Sequence, residues 1–409
     1  MLRIRCTRRD AILVLLWASL ICLLIYYSSF YYRINVPIIT SLGRLIFYLG
    51  IDLAFILAVT LPRGYKNGAI SIFCAFQVWA VISTIIANYT ADGPLWKQII
   101  YMSSFVACLV TSYRCATGLE YDRIIKTSNF FIVLFSLVFI ALVSQNVYGT
   151  LMIHNNTVYY IALCLPFVGC LKNKIIRYSL FGVIGTLIVV SMKRTAFLAY
   201  ILFLLVLYLY RTITEKEPHY LRMIVMGVLI SAGLLIGYTT IMQRYGTNLL
   251  STLSISAIRE DQGSNRFYIY SQVWEAQKKA SIIHWIFGYG YNGVWASRVA
   301  TDGYLGEFVS AHNDILEVLY DYGIVGFVMY ASFIVKLVRE ALLSVKIKAE
   351  YAAPFIASLA ILFVFSMTSH LIIYYNYFGI MLVFWGICFA ENRRFYAEFH
   401  KGINNSSSL

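Results

Sequence analysis

Long apolar runs separated by short basic breaks make up most of this chain. About 12 of these runs are long enough, or nearly so, to cross a hydrocarbon core roughly 30 Å thick. An open strand cannot satisfy its backbone in lipid, so each run is expected to be a helix. The pattern predicts an all-α polytopic membrane protein with about 12 transmembrane helices, in which residues 1–409 form a single integral membrane domain. The predicted spans lie near 11–32, 42–61, 69–88, 99–116, 128–147, 157–171, 178–192, 195–210, 223–242, 323–344, 352–369 and 371–390.

Composition supports a membrane protein and excludes an ordinary soluble core. Of the 409 residues, 60% are hydrophobic and 13% are charged, and the mean hydropathy is +0.73. Soluble domains carry about 25% charged residues. The net charge of +14 does not indicate nucleic acid as a partner, because the basic residues lie mostly in short breaks between apolar runs. The eight cysteines lack the paired spacing of a zinc site or a disulfide framework.

The basic breaks alternate along the chain and predict the orientation. With a cytoplasmic N-terminus, every even-numbered span returns to a basic loop, as the positive-inside rule requires. Both termini are then cytoplasmic, and the first apolar run is a retained span rather than a cleaved signal. The loops and tail that carry this pattern contain Arg63 and Lys66, Arg114, Arg123 and Lys126, Lys172, Lys174 and Arg177, Arg211, Lys216 and Arg222, Lys346 and Lys348, and Arg393 and Arg394.

Two basic segments fall on the opposite, outer side. One is the pair Lys193-Arg194, in a short turn between the seventh and eighth spans. The other is the long loop 243–322 between the ninth and tenth spans. Long loops cross a membrane largely regardless of charge, so the short turn is the stronger exception to the rule.

The outer loop 243–322 is predicted to contain short amphipathic helices. Residues 266–279 place apolar side chains at helical spacing, which is typical of a helix at the membrane surface. Residues 287–293 form a glycine-rich turn, and residues 312–322 form a second short helix that leads into the tenth span. The apolar positions of the first helix are Phe267, Tyr270, Val273 and Trp274.

His312 is the candidate catalytic residue of this loop. Histidine is the side chain best suited to proton transfer near neutral pH. The simpler interpretation is a polar residue at a helix start, where Ser310 and Asn313 are candidate caps. Nine residues separate Asn313 from a Gly323-x-x-Gly326 motif. These glycines are expected to let a neighbouring helix pack closely and hold the preceding helix in place.

Arg194 and Arg266 are the candidate anion-binding residues. Arginine matches phosphate oxygens with two parallel hydrogen bonds. The simpler interpretations are an interfacial anchor for Arg194 and a solvated charge for Arg266. Together with His312, the two arginines suit an anionic lipid headgroup beside a reacting centre. The loop lacks an Asp-x-Asp pair, so we expect a reaction without metal or other cofactor, in which arginines take the place of a cation.

These residues resemble the O-antigen ligase and O-antigen polymerase superfamily of bacterial envelope enzymes. The resemblance rests on four motifs, which together cover about residues 190–330. The motifs are His312-Asn313 with Gly323 and Gly326, Ser264-Asn265-Arg266 leading into Tyr270 and Trp274, the turn from Ile286 to Asn292, and Ser191 to Arg194 followed by Thr195-Ala196.

The resemblance implies a glycosyltransferase that uses an undecaprenyl diphosphate-linked glycan at the outer face of the bacterial inner membrane. Arg194 and Arg266 would hold the diphosphate, and His312 would activate or orient the acceptor hydroxyl. Inverting attack would then expel the diphosphate. We expect three further residues to contact the substrate, and we expect the bilayer and a chain-length regulator as partners. The three residues are Lys193, Asn313 and Arg259.

Three functions remain open at this point. The first is a polymerase of lipid-linked repeat units of an O-antigen, capsule or exopolysaccharide. The second is a ligase that moves the finished glycan to lipid A-core or to a protein. Ligases of the superfamily often carry an acidic residue where this chain has Ser369-His370, which slightly favours the polymerase. The third is a flippase or transporter, which would be expected to show inverted repeats and polar groups within its spans.

Overall fold

The computed structural model describes residues 7–31, 42–62, 66–87, 95–147, 157–190, 193–214, 266–301, 306–372 and 375–406. These residues are almost entirely helical. Their only strand-like contact is an isolated antiparallel bridge between Thr301 and Phe308.

The part of the chain before residue 215 forms nine described helices. Their bounds are α1 (Arg8–Tyr31), α2 (Leu42–Val59), α3 (Gly68–Ala87), α4 (Leu95–Ala116), α5 (Tyr121–Val147), α6 (Thr157–Ala162), α7 (Leu165–Gly169), α8 (Lys174–Val190) and α9 (Arg194–Thr214). From residue 266 onward the described helices are α10 (Arg266–Lys278), α11 (Ile282–Phe287), α12 (Gly293–Ala296), α13 (Asp314–Lys346), α14 (Ala352–Thr368) and α15 (Tyr375–Ser406).

The all-α membrane class is confirmed. Six described helices are long and apolar enough to cross a membrane, and three shorter apolar helices accompany them. Every predicted span except the ninth overlaps a helix, and the run 157–171 is divided between α6 and α7. The ninth span, 223–242, lies outside the described residues, as does the loop from 243 to 265.

The helices pack around one extended apolar core. α4 lies against α15, α9 against α14, and α3 against α13. Trp17 and Trp385 are fully buried inside this core. Large apolar side chains also point outward, such as Val78 and Phe130, which are 60% and 65% exposed. Such exposure suits helices that face lipid rather than water.

Ion pairs join helices at one end of the bundle. We call this end, which contains Asp10, Arg123, Glu340 and Arg393, the ion-pair end. Asp10 and Arg123 join the start of α1 to α5 at 2.8 Å. Glu340 of α13 binds Arg393 of α15 at 2.7 Å. Side-chain amides add two hydrogen bonds to the same carboxylate, from Asn67 at 3.1 Å and Asn392 at 2.9 Å.

At the other end, α13 is kinked at Gly323, which has φ 65° and ψ −172°. The kink interrupts the helical hydrogen bonds and leaves carbonyl groups in need of donors. The glycine-rich turn provides them. The backbone N–H of Tyr289 donates to Tyr320 O at 3.0 Å, and that of Gly290 donates to Asp321 O at 2.7 Å. The kink therefore serves as the docking point for the turn.

Helix α3 supports the same kink from the membrane side. The Trp79 indole N–H donates to Tyr322 O at 2.9 Å, and the Ser83 hydroxyl donates to Asp321 O at 3.0 Å. The Trp79 ring also stacks on Phe287, with centroids 5.2 Å apart. The turn after α11 is thus fixed to a membrane helix as well as to α13.

The segment from α10 to the start of α13 has a small apolar cluster of its own. Its buried members are Ile269, Val273, Val294, Ala300, Ala311 and Tyr320. The structure has a helix where the first loop helix is predicted, and its apolar positions divide between two sides. α10 buries Ile269 and Val273 against the protein, whereas Phe267 and Trp274 are 64% and 40% exposed. Helical spacing alone did not distinguish the protein-facing side from the outward-facing side.

Candidate functional site

His312 lies at the junction between the loop segment and α13. Its backbone adopts φ 52°, a left-handed conformation that is uncommon for residues other than glycine. The structure on either side is tightly bonded. Asn313 caps α13, because its Oδ1 accepts the N–H groups of Ile315 and Leu316 at 3.0 and 3.2 Å. Glu317 Oε2 accepts the N–H of the buried Ala311 at 2.6 Å. Strained backbone held in this way is typical of functional sites.

Tyr270 connects this junction to helices α10 and α14. Its hydroxyl lies 2.8 Å from the carbonyl oxygen of Met367 and 3.2 Å from that of His312. Tyr270 belongs to α10, Met367 lies near the end of α14, and His312 precedes α13. One hydroxyl therefore brings three elements together around the histidine.

A second histidine, His370, packs against His312. The ring centroids are 4.6 Å apart and the rings are tilted by 31°. His370 follows the end of α14 and is buried. Asp314 holds the same loop, because its Oδ1 accepts the N–H groups of Leu371 and Ile372 at 2.8 and 3.2 Å. The two histidines are thus anchored through one buried carboxylate.

Two cations act on this pair. Burial, then the charge of Arg266, then that of Lys193 lower the pKa of His312 to about 4. The pKa of His370 is held well below its usual value by burial, by His312 and by Arg266. Burial and the charge of Arg266 also lower the pKa of Lys193. Both imidazoles are therefore neutral near pH 7, beside positive charge.

The N-terminus of α9 completes the site. Arg194 is the first residue of α9. Its neighbour Thr195 is buried, and the Thr195 hydroxyl lies 3.3 Å from that of Thr368, two residues before His370. Thr195 also hydrogen-bonds with Tyr159, and Tyr159 interacts electrostatically with Arg266. The backbone of Arg194 is therefore beside the histidine pair, while its side chain lies outside what the structure describes.

Lys193, Arg266, His312 and His370 form what we call the histidine end. Helix N-termini and cations favour a bound anion. The His312 Nδ1 is buried and has no hydrogen-bond partner among the described residues. A neutral imidazole can accept a proton or a hydrogen bond from an approaching hydroxyl. The arrangement suits an anionic group held next to a nucleophile.

Of the sequence-predicted site residues, the structure brings Lys193, Arg266 and His312 together and places the Arg194 backbone with them. Arg259 lies outside the described residues. The Oδ1 of Asn313 is used in capping α13, and its contact with substrate stays a prediction. The expectation of a reaction without a metal ion stays a prediction.

Gly323 and Gly326 lie at close approaches of two different kinds. A Cβ at position 323 would collide with the backbone of Ile286 and Gly288, in the loop segment. A Cβ at position 326 would crowd Tyr322 within α13 and the Trp79 ring of α3. Gly323 therefore leaves room for the glycine-rich turn, whereas Gly326 lies against the membrane helix α3.

Sequence reasoning missed the roles of His370, Asp314 and Tyr159 in building the site. His370 was visible as part of a polar break, Ser369-His370, between two apolar runs. Asp314 was visible as an acidic residue directly after the histidine motif. Tyr159 gave no signal, because it lies in an apolar run among many other tyrosines.

Comparison with known proteins found a family model that matches the middle of the chain. Residues 179–331 match a family model described as O-Antigen ligase. The match contains Lys193, Arg194, Arg266 and His312, and it ends before His370. No curated protein matches the chain. The match over residues 179–331 supports the O-antigen ligase and O-antigen polymerase superfamily that the sequence motifs resemble.

Proposed function

We propose that this protein transfers a glycan from an undecaprenyl diphosphate-linked donor to an acceptor sugar at the outer face of the inner membrane, joining lipid-linked repeat units. One observation carries the proposal: Arg266 and Lys193 converge on the neutral His312 at the ends of apolar helices. This combination suits a substrate that is both anionic and lipid-anchored.

The reaction follows from the chemistry of the residues. The acceptor hydroxyl attacks the anomeric carbon, the bond from that carbon to the diphosphate oxygen breaks, and the diphosphate leaves with the electron pair. His312 takes the hydroxyl proton, or it orients the hydroxyl while the proton passes to the departing diphosphate. Arg194 and Arg266 stabilise the charge that develops on the leaving group. Lys193, Asn313 and Arg259 contact the substrate, the configuration is inverted, and no metal takes part.

Substrate binding also prepares His312 for this role. The cations proposed to hold the diphosphate, together with burial, lower the pKa of His312 before a donor binds. A bound diphosphate brings negative charge, which offsets those cations and raises the pKa of the imidazole again. Because a base is most effective when its pKa is near the working pH, donor binding makes His312 a better proton acceptor.

Sidedness rests on the basic loops of the sequence. The positive-inside rule puts both termini in the cytoplasm, and it puts Lys193, Arg194 and the loop 243–322 outside. Nucleotide sugars are not expected outside a cell, so a lipid-linked donor fits that side. The bilayer and the lipid-linked glycan are then the principal partners, with a chain-length regulator as a further candidate.

The second candidate is a ligase that transfers the finished glycan to lipid A-core. The description of the matching family favours it. The break Ser369-His370, where ligases often carry an acidic residue, favours the polymerase. The two enzymes share donor chemistry and differ in the acceptor.

A gel of surface glycans from a deletion strain separates the two functions. Loss of a polymerase leaves single repeat units, whereas loss of a ligase leaves long glycans that are not attached to the surface acceptor. Plasmid-borne wild type should restore the original pattern, while the His312→Ala variant should not. Long glycans built and attached normally in the deletion strain would contradict both functions.

A further inference from the structure

We propose that His370 is a positioning residue for His312, which it holds by stacking in the glycosyl transfer proposed above. Nothing in the matched family segment assigns a role to this residue, because the match ends at residue 331. The inference rests on the proposed function for its kinetic consequence. For the state of His312 it rests on the ring geometry and on the charges near the pair, and it does not need the proposed function.

The ring geometry indicates packing rather than proton exchange. The centroids lie 4.6 Å apart at a tilt of 31°. An imidazole donates and accepts hydrogen bonds in the plane of its ring. Two rings that face each other at this tilt therefore contact mainly through their faces, as offset aromatic pairs do. His370 acts as a wall that sets the plane of the His312 ring.

The loop that carries His370 is itself firmly held. Asp314 is fully buried and accepts the backbone N–H groups of Leu371 and Ile372. Its second carboxylate oxygen accepts the Ser366 hydroxyl of α14 at 2.7 Å. Asp314 is only two residues from His312, so the loop and the histidine junction move as one unit. A ring fixed in this way can impose its orientation on its neighbour.

The charges near the pair make its pH behaviour a sensitive readout. Positive charges disfavour imidazolium, and a buried neighbour excludes the water that would solvate it. Removing the His370 ring would admit water and raise the pKa of His312 towards its ordinary value. A phenyl ring would keep the burial and the stacking face. Arg266 of α10 acts on both rings, and Lys193 before α9 acts on His312. The other titratable groups of the neighbouring elements are Asp314 and Glu317 of α13, which accept backbone N–H groups of Leu371 and Ala311, and Tyr159 of α6, which lies near Arg266.

The first test compares His370→Ala with His370→Phe in the full-length protein, purified in detergent. Transfer is followed with a lipid-linked repeat unit as donor and acceptor. We expect the alanine variant to lose about 10- to 100-fold in kcat, because a small misplacement of a reacting group is that costly. Its KM should stay within about threefold of wild type, while the phenylalanine variant stays within about threefold in both constants. Equal rates in the two variants, whether high or low, would overturn the proposal.

The second test needs no substrate. Diethyl pyrocarbonate modifies neutral imidazole, so the modification rate of His312, read by mass spectrometry, reports its protonation in every variant. In wild type and His370→Phe the rate should stay nearly flat from about pH 7 down to about pH 5. In His370→Ala it should fall over that interval, as for an ordinary histidine. The same profile in all three proteins would overturn the proposal.

The two tests also separate this inference from the proposed function. If wild type transfers no lipid-linked glycan but the modification profiles differ as described, the function is wrong and the stacking role stands. If wild type transfers glycan but the profiles coincide, the function stands and the role of His370 is wrong.

Discussion

The charged groups at the two ends of α13 have opposite surroundings. At the ion-pair end, the Glu340 carboxylate is surrounded by donors, namely Arg393, Asn67 and Asn392. At the histidine end, Arg266 lies near Lys193, and no described carboxylate lies within salt-bridge distance of Arg266. The acidic residues there are turned towards backbone N–H groups instead.

This difference indicates that one end of α13 contributes mainly to stability and the other mainly to function. A buried charge with full hydrogen bonding holds helices in register, and removing its partner is costly. Positive charges kept near each other repel, and a bound anion makes their proximity favourable. The ion-pair end is therefore expected to stabilise the fold, and the histidine end to bind and react.

The largest effect is expected from His312→Ala. Loss of the residue that takes or orients the acceptor proton should lower the transfer rate by about 100- to 10,000-fold. The amount of protein in the membrane should not change, because the backbone bonds of the junction remain. The rate is measured with purified protein and lipid-linked donor.

The matched control is His284→Ala, a histidine of the same segment that lies in α11. It should keep near wild-type transfer. His312→Gln adds a distinction, because glutamine can orient a hydroxyl but cannot take its proton. Wild-type activity in His312→Ala would remove this residue from the site.

Arg266→Ala should give the next largest effect, a loss of about 100- to 1,000-fold in transfer, since one donor to the developing anion is removed. Its thermal unfolding temperature in detergent should stay near that of wild type. Lys278→Ala is the control, because Lys278 belongs to the same helix and pairs with Glu275 on the exposed surface. Equal losses in both variants would mean that α10 contributes only general positive charge.

Glu340→Ala tests the ion-pair end. Arg393, Asn67 and Asn392 lose the carboxylate that accepts from them, although Asn392 keeps its bond to the Glu340 backbone carbonyl. The free energy of unfolding should therefore fall by about 2–4 kcal/mol. Transfer per folded molecule should be unchanged. Thermal unfolding in detergent measures the first quantity and initial rates measure the second.

Glu350→Ala provides the comparison for that variant, because Glu350 makes only an exposed ion pair with Lys172 at 3.4 Å. Exposed pairs contribute little, about 0–1 kcal/mol. If Glu340→Ala removed transfer without loss of stability, the division between the two ends would be wrong.

Gly323→Ala should lower the free energy of unfolding by about 1–3 kcal/mol or more, because its backbone conformation is essentially restricted to glycine. The added Cβ also meets the backbone of the docked turn. Gly182→Ala in α8 is the control, since a Cβ there meets nothing within 4 Å. Equal unfolding temperatures in the two variants would contradict the docking role of the kink.

The prediction with the smallest effect on activity at neutral pH concerns how kcat/KM falls as the pH is lowered. In the proposed mechanism His312 acts in its neutral form, so activity should be present above its pKa and lost as the pH falls through it. The pKa of His312 is about 4, and kcat/KM reports the free enzyme, so kcat/KM should stay flat to about pH 5 and then fall. The limb of kcat, which reports the donor complex, should lie at higher pH.

Arg266→Gln sharpens this prediction. Removing one cation raises the pKa of His312, so the kcat/KM limb should move to higher pH. Lys278→Gln should leave it in place. If kcat/KM fell over the same pH range in Arg266→Gln as in wild type, Arg266 would not act on His312 electrostatically.

The sequence by itself determined the class of the protein and much of the candidate site. Apolar runs of span length force helices, because lipid offers no partner to an open backbone. The histidine motif and the two arginines were recognisable because charge is rare in such a chain and falls at informative places. His312, Arg266 and the Lys193-Arg194 turn could therefore be selected without a structure.

Only the tertiary structure decided which residues meet. His370 lies 58 positions after His312 in the chain. Nothing in this spacing shows that the C-terminal end of α14 lies beside the start of α13. The buried face of α10 was likewise undetermined, since lipid and protein both accept apolar side chains. Contacts between distant segments depend on how helices pack and where α13 bends, and a linear pattern does not contain that information.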